Sequence, residues 1–195
     1  MNPRRRMATI AVVFLALATG PGFKKFFHLD PLREISSYYP LAVGNRWVYI
    51  DSTGTEHEEI LSDHIGEFFY NPRTRLGTAH EPEGVKQAVF HKGIPRSSWF
   101  ILKLPIRTGA IWSSEDLFYE ITNTSKTALV RAGTFQDCVE VRVRHKREFL
   151  TNREKGTVEA VLLITFAPGV GPVEWRTMIG NRLLYRKELV SYQLG

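Results

Sequence analysis

From Arg46 to the C-terminus, short apolar runs alternate with turn residues. No window sustains apolar residues at helical spacing for three turns. That pattern selects antiparallel β-structure. "RWVYI" meets the turn "DSTG" and then "TEHEEIL". "VKQAVFH" and "SWFILKL" are separated by "KGIP". "LFYEIT" and "TALVRA" flank "NTSK", and "CVEVRVRHKREFL" and "TVEAVLLITF" flank "TNREKG". "VEWRTMI" and "RLLYRKELVSY" flank Gly180-Asn181, a two-residue hairpin loop. The expectation is an all-β chain: a single antiparallel β-domain of about ten strands, arranged as a barrel, half-barrel or sandwich. A short helical lead-in precedes it, with Asp30 as N-cap, Pro31 at the first helical position and Glu34 in the first turn.

One frame occurs twice: Pro40, Leu41, Gly44, Trp47 and then Pro105, Ile106, Gly109, Trp112. Proline cannot donate to a ladder, so it belongs before a strand. Glycine supplies a turn conformation that a β-carbon opposes. Each tryptophan then begins a strand as a packing anchor. The competing reading makes Trp47 and Trp112 part of a ligand site. The sequence after the two tryptophans does not align, so full duplication is not supported.

Alternation assigns faces. Val139, Val141 and Val143 point one way, and Cys138, Glu140, Arg142 and Arg144 the other. In "TVEAVLLITF", Val158, Ala160, Leu162, Ile164 and Phe166 share a face, yet Val161 and Leu163 make the opposite face apolar too. Such a strand is covered on both sides, or it faces a partner or a ligand cavity. Val161 and Leu163 therefore join the two tryptophans as ligand-binding candidates.

The N-terminus is a separate unit. Arg4, Arg5 and Arg6 precede the apolar run from Met7 to Leu17, and Ala16-Leu17-Ala18 fits an A-x-A cleavage pattern. Residues 1–18 read as a secretory signal peptide, or as an uncleaved anchor in the inner membrane. Residues 19–37 form a tether with the short helix, and 38–195 the β-domain. The expected location is extracytoplasmic, periplasmic or secreted. Cleavage removes three arginines and no acidic residue, taking the formal charge from +6 to +3. The mature chain is only mildly basic, so no nucleic-acid partner is expected, and membrane contact is expected only through an uncleaved N-terminus. One cysteine, Cys138, excludes an intramolecular disulfide and any multi-cysteine metal site.

Three segments taken together, "YYPLAVGNRWVY", "RAGTFQDCVEVRV" and "TFAPGVGPVEW", resemble a family of small secreted or lipoprotein-type bacterial domains of uncharacterised function. The matching residues are Pro40, Leu41, Gly44, Trp47 and Tyr49, then Ala132, Gly133, Thr134, Phe135 and Cys138, then Gly169, Val170, Gly171 and Val173. Phe166 stands where that family has tyrosine, and no lipid-acceptor cysteine follows the apolar run. The resemblance implies an extracytoplasmic all-β domain. It implies no activity and no catalytic residues.

No nucleophile-elbow, zincin, phosphate-loop or dinucleotide pattern occurs. Gly169-Val170-Gly171-Pro172 is followed by a strand rather than a helix, which makes it a turn or bulge. "TEHEEILSDH" concentrates metal-ligating side chains. His57, Glu59 and His64 are the candidate ligands for a metal-assisted hydrolase, with His80, His91 or His145 as further donors. Cys138 as a nucleophile would need a neighbouring base. Arg142, Arg144 and Lys146 form a basic stripe interrupted by Glu140 and Glu148, which reads as a solvated outer face. The leading expectation is an exported, noncatalytic β-domain, without cofactor, that binds an apolar ligand or a cell-envelope protein. The alternatives are the hydrolase and a membrane-tethered structural envelope protein.

Overall fold

The computed structural model describes residues 31–150 and 155–195, with side chains described for 34–145 and 159–195. The signal segment and most of the tether lie outside the described residues. Among the described residues, a short helix, α1 (Pro31–Tyr38), leads into thirteen strands. These are β1 (Arg46–Asp51), β2 (Glu56–Ile60), β3 (Asp63–Ile65), β4 (Phe68–Asn71), β5 (Leu76–Glu81), β6 (Gly84–His91), β7 (Ile94–Lys103), β8 (Ile111–Ser114), β9 (Leu117–Val130), β10 (Gly133–Leu150), β11 (Lys155–Ala167), β12 (Gly171–Ile179) and β13 (Arg182–Gln193). Every pairing is antiparallel. Eight strands form one sheet in the order β2-β1-β13-β12-β11-β10-β9-β8, and β3 to β7 form a second in chain order. No barrel closes among the described residues. The five-stranded sheet is one continuous insertion, while the larger sheet is closed by the C-terminal strand: β13 pairs with β1, with Arg46 opposite Gln193.

From glycine to tryptophan the repeated frame folds the same way at both sites, although the peptide bond before Pro105 is cis and that before Pro40 is not. Gly44 and Gly109 have φ of 94° and 85°, the left-handed region that glycine enters without strain. Gly44 N donates to Leu61 O and Gly109 N to Ile121 O, both at 2.8 Å. Asn45 N donates to Ala42 O and Ala110 N to Arg107 O at 3.2 and 3.1 Å. Each turn launches a strand, β1 or β8, whose tryptophan Nε1 donates to a backbone carbonyl: Trp47 to Val170 O at 2.7 Å, Trp112 to Phe100 O at 2.9 Å.

Two differences from the expected strand set have local causes. "LFYEIT" and "TALVRA" are one fourteen-residue strand, β9, rather than a hairpin. At "NTSK" the Asn123 side chain accepts from Ser125 N, and the pairing with β10 shifts register there. The side-chain turn therefore makes a bulge, not a reversal. The segment between "TEHEEIL" and "VKQAVFH" holds three further short strands. Their apolar alternation is weak because β5 carries Gly77 where Phe68 and Phe90 close in. A Cβ there would lie 2.6 Å from the Phe90 ring and 2.9 Å from Phe68 Cβ.

One main core joins the two sheets and α1. It includes Ile35, Trp47, Tyr49, Leu102, Val141 and Phe166, all essentially inaccessible to solvent. The Tyr39 ring meets Trp47 edge-on at 5.8 Å, which seals this end of the molecule with aromatic side chains.

Candidate functional site

Register places the inward residues of the large sheet in rows that run across its strands. Leu117, His145, Ala160 and Ile179 form the row nearest the β12–β13 turn. Tyr119, Val143, Leu162 and Thr177 form the next, and Ile121, Val141, Ile164 and Trp175 the one after. Deeper rows are solid core. Along the first two rows, and beside Ile164 and Trp175 of the third, the sheets stand apart around a cavity of about 560 Å³, within the usual size of small-molecule sites. Gln87, Trp99 and Ile101 of the five-stranded sheet make the facing wall. Tyr119, Ile164 and Ile101 are 3%, 6% and 6% exposed, whereas Leu184 is 47% exposed. The cavity is therefore closed at the core side and opens beside the β12–β13 turn.

The lining is mostly hydrocarbon and aromatic. Its polar side chains are Gln87, Thr177, His145 and the Tyr119 hydroxyl. Tyr119 lies under Trp112, with ring centroids 5.2 Å apart and planes 9° from parallel. Burial, reinforced by Glu115, pushes its hydroxyl up to about 12, so the phenol stays neutral. Trp175 closes the cavity toward β13. Its ring also carries Lys187 Nζ at 3.8 Å from the centroid, and that ammonium pairs with Glu59 at 2.8 Å.

No protein-family model matches the chain, and no curated protein matches it. Two solved structures are similar. One is a Bacteroides fragilis protein described as exported, with a YmcC-like fold. It has a TM-score of 0.43 and 11% identity, covering 80% of this chain and 99% of that one. The other is described as a lipoprotein from Parabacteroides distasonis, with a TM-score of 0.41 and 12% identity, covering 80% of this chain and 98% of that one.

The residues singled out from sequence fall in different places. Trp47 is 1% exposed and sits in the solid core. Trp112 is half-buried and lines a separate recess of about 270 Å³ with Leu104, Pro105 and Ile111. Val161 contributes to the large cavity; Leu163 is absent from its lining and stands in register between Arg142 and Arg176. The cavity's own tryptophans, Trp99 and Trp175, were not among the sequence candidates. Trp175, Thr177 and Ile179 alternate with Arg176 and Met178, a period of two that marks an inward face. What the alternation omits is that the facing sheet stands off from it.

His57, Glu59 and His64 are not brought together. His57 Nε2 lies 2.7 Å from Asp51 Oδ2, and Glu59 holds Lys187. His64 belongs to the other sheet, its ring 4.2 Å from that of Phe69. Among the described residues, no group of three or more His, Cys, Asp or Glu side chains could hold a metal ion. Cys138 is buried, and its Sγ donates to Phe135 O at 3.5 Å. Burial pushes its thiol up. On the outer face, Glu120 lies 3.5 Å from Arg142 and 4.0 Å from Arg144. Glu140 takes Lys126 at 2.5 Å and Arg176 at 2.8 Å. No helix among the described residues is long and apolar enough to cross a membrane.

Proposed function

We propose that this chain is an exported, noncatalytic β-domain that holds an apolar ligand between its two sheets. The observation that carries the reading is the cavity of about 560 Å³, walled by Trp99, Trp175, Leu162 and Ile164 and open at one end. Natural cores pack without voids of this size, and an apolar recess with few polar groups is the usual form of a small-molecule site. The titratable side chains among its lining residues are His145 and Tyr119; no carboxylate or thiol belongs to the lining itself, and Glu115, the carboxylate that acts on Tyr119, stands on the β8–β9 turn. That set supplies no nucleophile with its base, which favours binding over catalysis. Export rests on the sequence: the arginine cluster, the apolar run and Ala16-Leu17-Ala18.

Titration with N-phenylnaphthylamine, read by dye emission and tryptophan quenching, tests the cavity. Saturable binding is expected, and Ala160→Trp, which fills the first row, abolishes it while leaving the unfolding midpoint near that of the parent. No saturable binding, or equal binding by the variant, refutes the reading. Mass spectrometry of the exported chain separates a free domain from a tethered one: loss of residues 1–18 fits the first, and their retention fits the structural envelope alternative.

A further inference from the structure

The mouth of the cavity is chemically lopsided. On one lip, Arg182 stands opposite Ile179 in the β12–β13 pairing, so its side chain belongs to the same face as that lining residue. Arg182 is exposed, and Leu183 and Leu184 beside it are 49% and 47% exposed. On the far lip, the β8–β9 turn carries Glu115 and Asp116, both exposed, next to the lining residue Leu117. Among the described residues, one side of the opening is cationic and apolar, the other anionic. Inward from both, the walls become hydrocarbon, and the buried end formed by Ile101, Ile164 and Trp175 has no charged side chain in the lining. Lys187 lies behind Trp175, already paired with Glu59.

Ala160 to Ile164 spans four residue steps along β11, a depth of roughly 13 Å at strand rise. Aliphatic and indole walls offer dispersion contact without directional partners, which suits a hydrocarbon chain. A polar head would have to remain at the opening, because an unpaired charge at the buried end would be strongly disfavoured.

Resting on the reading of the cavity as a ligand site, we propose that its ligand is an anionic amphiphile of the fatty-carboxylate class. It enters chain-first and keeps its head at the Arg182 lip. Leu184, exposed at the mouth, covers the first methylenes outside it. The Glu115–Asp116 lip repels the head and so fixes which side it occupies.

The test compares dodecanoate with dodecanol, which share a chain and differ in head charge, by calorimetric titration of the full chain. The apolar stretch 7–17 is common to every protein compared, so affinity ratios between variants cancel it. The parent is expected to bind dodecanoate tighter than dodecanol. Arg182→Glu weakens dodecanoate by about two- to fivefold, given the strength of exposed ion pairs, and leaves dodecanol unchanged. Glu115→Gln with Asp116→Asn leaves dodecanoate binding intact or tightens it. Added salt narrows the difference between the two amphiphiles. An unchanged dodecanoate-to-dodecanol ratio in Arg182→Glu overturns the assignment. So does saturable binding of N-phenylnaphthylamine with no binding of dodecanoate, in which case the cavity reading survives. If no probe binds, both fall.

Discussion

Lys187 and Trp175, cross-strand neighbours on β13 and β12, form a cation–π pair with Nζ 3.8 Å from the ring centroid. The same ammonium lies 4.6 Å from the Tyr49 ring and 2.8 Å from Glu59. It is the charged backing of a hydrocarbon wall. Lys187→Met keeps the aliphatic stem but leaves Glu59 without its partner, at a cost of ~1–3 kcal/mol. Glu59→Gln alone is also destabilising. The double variant loses less than the sum of the two, by at least about 0.5 kcal/mol. Denaturant unfolding of the four proteins checks this; strict additivity would mean that the contact contributes nothing.

The two tryptophans of the repeated frame are expected to differ in weight. Trp47→Ala removes a fully enclosed indole and strands the Val170 carbonyl, costing ~3–5 kcal/mol. Trp112 is half-buried, and its ring is shared between the stack on Tyr119 and solvent. Trp112→Ala costs roughly 1–3 kcal/mol from the lost stack and hydrogen bond. Equal losses in unfolding free energy would contradict the distinction.

Acid sensitivity is expected to pass through Glu140. Burial alone would raise its carboxyl, but hydrogen bonding and charge from Lys126, with Thr122 and Arg176, outweigh this and hold it below the ordinary 4.5. A carboxyl depressed in the folded state binds its proton more readily when unfolded. Its contribution is therefore present in full above about pH 4.5 and fades as pH falls through the lower folded value. Glu140→Gln is less stable near neutrality by ~1–3 kcal/mol and shows a flatter fall in stability across the acid limb. Parallel pH profiles for parent and variant would exclude this role.

Cys138 is expected to be inert in the folded chain. Its thiol is buried in β10, pushed up by desolvation and directed at Phe135 O, so little thiolate exists to react. Mass spectrometry after maleimide treatment detects no adduct until denaturant is added. Stoichiometric labelling of the native chain would mean that the strand opens there.

The architecture was legible because its signals are local. Glycine at 44 and 109 fixes a turn whose hydrogen bonds depend on the backbone alone, and the valines at 139, 141 and 143 declare their face by alternation. Other features were hidden for equally physical reasons. "NTSK" has the composition of a reversal, yet the Asn123 side chain spends it on a bulge within a long strand. Glu59 and His57 looked like ligands in sequence, but their partners come from elsewhere in the sheet: Lys187 from β13, two strands away, and Asp51 from the adjacent β1. The cavity itself arises from separation between sheets. Ala160 and Leu162 are spaced like any other buried pair, and nothing in their order says that the facing wall stands back.

Because Arg46 finds its ladder neighbour at Gln193, β1 is completed only by β13, the last of the described strands. Until Arg182–Gln193 is available to pair, β1 has a partner on one side only, and the tryptophan that seals the aromatic end hangs from an open edge. Contacts this distant in sequence slow assembly and leave sticky intermediates exposed. Losing a few residues from the end of β13 would therefore do more harm than so small a deletion suggests, by unzipping β1 from its far partner.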